Sequence, residues 1–125
     1  MNITLKATGF ETTPSITDYV NRKISTLEKF FGDKADSVLV RGEVGKTTDH
    51  HKHGDVFRAA VHISGLRGQD IYVAEETADL YAAIDKVRDE AERRLTHAKD
   101  RKMSLMRRGG ARIKNMIRGM FGSEE

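Results

Sequence analysis

Residues Asn2 to Thr8 alternate between apolar and polar, with Ile3, Leu5 and Ala7 on one side, and predict a first strand. Thr12 or Thr13 can cap a helix that has Pro14 in its first turn, where a missing N–H costs nothing. Ile16, Tyr19, Val20, Ile24, Leu27, Phe30 and Phe31 then recur at helical spacing, and Gly32 and Asp33 close the helix. Val38, Val40 and Val44 alternate with Leu39, Arg41 and Glu43 in a second strand. Lys46 to Asp55 reads as a polar loop. Phe57, Ala59, Val61 and Ile63 mark a third strand, Ser64 to Gly68 supply turn residues, and Ile71 and Val73 mark a fourth.

A long helix follows from Asp79 to Lys102, with Thr77 as its expected cap. Leu80, Ala83, Ile84, Val87, Ala91, Leu95 and Ala98 form its apolar stripe. The fold class is therefore α+β, in the order β-α-β-β-β-α. Strands one and two, joined through a helix, should be parallel, and the later strands should follow as antiparallel hairpins. Both helices should cover one face of a four-stranded mixed sheet, leaving Arg41, Glu43, Arg58 and His62 on a polar face.

The rest of the second helix divides by charge sign. Asp85, Asp89 and Glu92 share one stripe, and Lys86, Arg93, Arg94, His97 and Arg101 share another, interrupted by Glu90. Pairs four residues apart, such as Asp89 with Arg93, are what an ordinary solvated helix would carry. In the first helix Arg22, Thr26 and Lys29 also lie away from the apolar face. If the helices lie side by side, two basic ridges share one surface, matched to RNA phosphates in sign and shape.

Charge along the chain sharpens this picture. Met1 to Asp100 carries 15 Lys and Arg against 17 Asp and Glu, whereas Arg101 to Glu125 carries 7 against 2. A basic arm on a near-neutral body fits nucleic acid or an anionic surface. The 125 residues predict one folded domain over residues 1–104 and a basic amphipathic or flexible tail over 105–125. Cysteine is absent, which excludes disulfides and thiolate metal sites, and neither a membrane-length apolar segment nor a secretory leader is evident. The expectation is a cytoplasmic protein.

At this point the residues resemble a known family. Asp79-Leu80-Tyr81-Ala82-Ala83-Ile84-Asp85, then Arg93-Arg94-Leu95-Thr96 and Lys99-Asp100-Arg101, together with Lys23, Leu27-Glu28 and Phe30-Phe31, are similar to the ribosome hibernation promoting factors and the ribosome-associated inhibitor. The likeness spans residues 1 to about 102. It implies a translation inhibitor that binds the small ribosomal subunit, through its rRNA and proteins, near the decoding region. Such a protein blocks mRNA and tRNA by occupancy and needs no cofactor, metal or small-molecule substrate. By position the resemblance implies rRNA contacts at Lys23, Lys29, Arg93, Lys99 and Arg101, and with the charge stripes the expected set is Arg22, Lys23, Lys29, Lys86, Arg93, Arg94, His97, Lys99, Arg101 and Lys102. His97 stands where the family pattern often has lysine, so its contact should strengthen as pH falls. The family's long forms add a C-terminal dimerisation domain. This chain carries nothing of that length, which implies a short form, monomeric away from the ribosome.

Tyr81 is a candidate for stacking on a base, with a buried-edge tyrosine bearing a bonded hydroxyl as the alternative. Asp49-His50-His51-Lys52-His53 holds enough ligands for a divalent cation, but no second shell is identifiable, and an exposed loop is expected. No nucleophile with a matched base, paired-acid spacing or phosphate loop is present, so catalysis is not expected. Gly65, Gly68, Gly109 and Gly110 read as turn or hinge residues. Beyond them Ile113, Met116, Ile117, Met120 and Phe121 fall on one helix side and Arg112, Lys114, Asn115 and Arg118 on the other. With Arg107 and Arg108 these supply tail contacts to the domain, to a partner groove or rRNA, or to an anionic membrane. Two rival functions follow: a stand-alone module for duplex RNA, and a peripheral partner- or membrane-binding protein acting through the tail.

Overall fold

A computed structural model describes residues 1–47, 54, 56–66 and 69–120, the side chains of 47, 99 and 102–120 excepted. Its elements are β1 (Asn2–Thr8), α1 (Pro14–Ser25), two 3-10 turns (Glu28–Phe30 and Gly32–Ser37), β2 (Leu39–Thr47), β3 (Val56–Leu66), β4 (Gln69–Thr77) and α2 (Leu80–Met120). Two compact units divide the chain, Met1–Arg94 and Leu95–Glu125.

In the first unit the four strands form one sheet in the order β1-β2-β3-β4. β1 runs parallel to β2, and β3 is antiparallel to both its neighbours, as the connection lengths require. Alternation turns Val40 and Val44 of β2, Ala59, Val61 and Ile63 of β3, and Ile71 and Val73 of β4 to one face, where all are buried. Ile16, Val20 and Ile24 of α1 and Leu80, Ala83, Ile84, Val87 and Ala91 of α2 are buried with them, and no polar side chain is buried among the described residues. Closing this apolar layer against the sheet supplies the main driving force for folding.

Three local readings are corrected. The first helix does not continue to Phe31. It ends at Ser25, and the chain tightens into 3-10 turns that still bury Leu27 and Phe31. Over a single turn the two helix types place apolar residues almost alike, so spacing did not separate them. Thr13 caps α1 by accepting the Ile16 amide at 3.2 Å, but the second helix is capped by Asp79, whose carboxylate accepts the Ala82 amide at 3.2 Å. Thr77 instead holds Asp79, accepting its amide at 3.3 Å and bonding back to its carbonyl.

The third correction concerns α2, which extends past Lys102 to Met120, so Gly109 and Gly110 are helical and not a turn. Glycine weakens a helix by about 1 kcal/mol without forbidding one. The apolar positions on either side of the pair, Leu95, Ala98 and Met106 before it and Ile113, Ile117 and Met120 after it, keep one phase. The second unit is this helix from Leu95 onward. No helix is long and apolar enough to cross a membrane, among the described residues.

Candidate nucleic-acid interface

Within Met1–Arg94, α1 and α2 lie side by side and are joined at two places. Tyr19 donates its hydroxyl to Asp85 at 2.6 Å, and Arg88 donates from Nε to the Thr26 hydroxyl at 2.7 Å. That hydroxyl in turn donates to the Lys23 carbonyl at 2.6 Å, which fixes its direction. The Lys23 ammonium lies 3.4 Å from Asp85, with both groups well exposed, so this ion pair contributes little stability.

The acidic stripe of α2 is consumed by these ties. Asp85 takes Tyr19 and Lys23, while Asp89 and Glu92 take Arg88 at 3.2 and 3.0 Å. Glu90 holds the Arg93 guanidinium through both of its carboxylate oxygens. That pairing raises the Arg93 pKa through the hydrogen bond first and the Glu90 charge second. Lys86, on the exposed side of α2, has no ion-pair partner among the described residues, and neither do Arg22 and Lys29. With the α2 carboxylates each held by a partner, Lys86, Arg22 and Lys29 are the charges of this surface left without an ion pair.

Aromatic rings organise the same surface. Tyr81 meets Tyr19 edge to face, centroids 4.8 Å apart, while Arg22 and Lys23 approach the Tyr19 ring at 5.6 and 5.5 Å. The bonded hydroxyl weighed for Tyr81 belongs to Tyr19 instead, and Tyr81 is one of two exposed large apolar side chains among the described residues. The hydrogen bond to Asp85, then burial, then the Asp85 charge push the Tyr19 hydroxyl up to about 12.

The structure does not gather every expected residue. Lys29 sits on the 3-10 turn, 5.3 Å from the Phe30 ring, and not on α1. Arg94 bends to the sheet edge and donates to the Tyr72 carbonyl of β4 at 2.7 Å, covering an edge strand. In the second unit, His97 and Arg101 are exposed on the helix, and Lys99, Lys102, Arg107, Arg108, Arg112, Lys114 and Arg118 occupy helical backbone positions. Asp49, His50, His51 and His53 lie outside the described residues, as do Gly68 and Phe121. Arg88 was missed. Its spacing of four from Glu92 was visible, but its partner Thr26 is 62 residues away.

A mixed sheet with exposed cations on its helices is the geometry of a binding surface, and comparison gives the chain's lineage. The profile of the family described as Sigma 54 modulation protein / S30EA ribosomal protein matches residues 3–103, and the chain belongs to that family. A ribosome hibernation promoting factor of Klebsiella oxytoca is 34% identical over 101 residues, 81% of this chain and 96% of that protein. The factor of the same name from Pseudomonas putida is 30% identical over 112 residues, 90% of this chain and all of that one. The crystal structure of the Thermus thermophilus Protein Y N-terminal domain superposes with a TM-score of 0.64 at 30% identity, covering 78% of this chain and 98% of that domain. These relatives tie the family to ribosome hibernation, an activity of binding and not of catalysis.

Proposed function

We propose that the chain is a hibernation factor that binds the small ribosomal subunit near the decoding region and excludes mRNA and tRNA by occupying their channel. The observation that carries this reading is that each carboxylate on α2 between Asp85 and Glu92 is held by a cation of the same unit, Asp89 and Glu92 sharing Arg88, whereas Lys86, Arg22 and Lys29 have no ion-pair partner among the described residues. Cations without ion-pair partners are free to displace counterions from RNA phosphates, a large term in such affinities. The body, residues 1–104, would do the binding. The basic positions of 105–125, helical to Met120, would add contacts along rRNA or a ribosomal protein.

Cosedimentation tests the reading. The chain should travel with small subunits, lose that association when Lys86 and Arg93 are both reversed to Glu, and be displaced by prebound tRNA. Insensitivity to tRNA, with duplex RNA bound equally well, would instead favour a general shape-reading module.

A further inference from the structure

The sheet face away from the helices carries a second set of groups. Register lines them up in three rungs: Thr4, Arg41, His62 and Tyr72; then Lys6, Glu43, Ala60 and Ala74; then Thr8, Gly45, Arg58 and Glu76. A polar face is ordinary for a mixed sheet, but a half-exposed tyrosine on its edge strand β4, reaching inward over the face, is not required by one. The Tyr72 side chain leans across the alanine rung, where its hydroxyl accepts from the Arg58 guanidinium at 2.5 Å. The small Ala60 leaves a recess of about 120 Å³ beside that ring, lined also by Arg41, Glu43, Val61, His62 and Tyr72.

Charge is graded across this face. Asp70 and Glu76 lie on the β4 side, and Asp70 is 3.8 Å from His62. On the β1–β2 side Lys6 and Arg41 are exposed with no ion-pair partner among the described residues. Glu43 makes only a loose contact with Arg58, at 3.8 Å, so its oxygens keep accepting capacity.

We propose that this recess holds one unpaired guanine of an RNA strand, stacked on Tyr72, with its backbone phosphates over Lys6 and Arg41. A tyrosine anchored at its tip is a rigid platform for a base, and bases stack on such platforms in single-stranded recognition. Glu43 accepts from the base edge, and guanine alone presents two adjacent N–H donors to a carboxylate. The recess is well below the roughly 300 Å³ of small free-ligand pockets, which favours a nucleotide held by its neighbours in a strand over a free one. The site is on the opposite face from the α1–α2 surface, and it stands or falls without the ribosome reading.

Binding of labelled seven-nucleotide RNAs to the full chain, uridine throughout or with one central guanosine, decides the matter at low salt. The guanosine strand should bind several-fold tighter. Tyr72→Ala should weaken it about tenfold, as loss of one stacked base does, while Tyr72→Phe keeps most of the affinity. Glu43→Gln should abolish the difference between the two strands. Lys86→Glu should leave that difference intact, since it lies on the other surface. Equal affinity for both strands in the unaltered protein, or unchanged binding by Tyr72→Ala with a native circular dichroism spectrum, overturns the proposal.

Discussion

Tyr19 of α1 and Asp85 of α2 share one hydrogen bond of 2.6 Å, and the carboxylate oxygen that receives it also lies 3.4 Å from the Lys23 ammonium. One acidic group therefore ties the helices and is itself partnered by a cation of the same surface. The folded protein holds the Tyr19 proton more tightly than the unfolded chain does. The bond's contribution to stability is thus whole below about pH 10 and is lost as pH rises through about 12. Tyrosinate absorbance should show one of the three tyrosines ionising near pH 12. Asp85→Asn should bring that residue back towards the usual range, and an unchanged titration would remove Asp85 as the cause.

The second tie rests on Arg88, whose side chain is only 15% exposed and whose donors reach Thr26, Asp89 and Glu92. Its removal loses one inter-helix hydrogen bond and two partly exposed ion pairs. Arg88→Ala should therefore lower stability by about 1–2 kcal/mol in urea unfolding. It should also weaken RNA association, because Asp89 and Glu92 are left uncompensated beside the cations. A variant as stable as the parent would show that the helices are held by apolar packing alone.

Two glycines separate backbone strain from steric conflict. Gly65 has φ of 95°, next to an irregularity in the β3–β4 register, and a Cβ there would run into the Ser37 carbonyl. Gly32 has φ of 60° with open space around it. Gly32→Ala should cost only the left-handed conformation, about 1–2 kcal/mol. Gly65→Ala should cost clearly more, because Gly65 is not in a turn but in β3, and that strand or the Ser37 carbonyl must move as well. Equal losses in denaturant midpoint would contradict the steric account.

Much of this was legible in the sequence because the signals were local. Alternation around Val40 and Val61 and helical spacing from Leu80 to Ala91 each report which face is covered, and together they fixed the sheet's polar side at Arg41, Glu43, Arg58 and His62. What escaped depended on distance or on near-degenerate patterns. Thr77 and Asp79 are both good caps two residues apart, and only geometry selects Asp79. Asp85 looked like part of a solvated face because its partners Tyr19 and Lys23 are more than sixty residues away in sequence. Arg94 shared a stripe with Lys86 and Arg93 by angle, yet the edge of β4 lies within its reach and claims it.

Arg93 offers the sharpest test of the surface, because its charge is present but engaged. Glu90 grips the guanidinium with both oxygens, and the Arg93 side of the pair is exposed and open to screening by salt. Replacing the carboxylate by an amide removes one negative charge from the interface and releases a cation towards RNA. Glu90→Gln should therefore tighten small-subunit association, with a salt dependence steeper by about one counterion. Lys86→Glu should act oppositely, weakening association and flattening the salt dependence, since that ammonium has no internal partner to lose. If Glu90→Gln leaves both affinity and salt slope unchanged while Lys86→Glu weakens binding, Arg93 stands outside the contact and the interface is centred on the α1 side of α2.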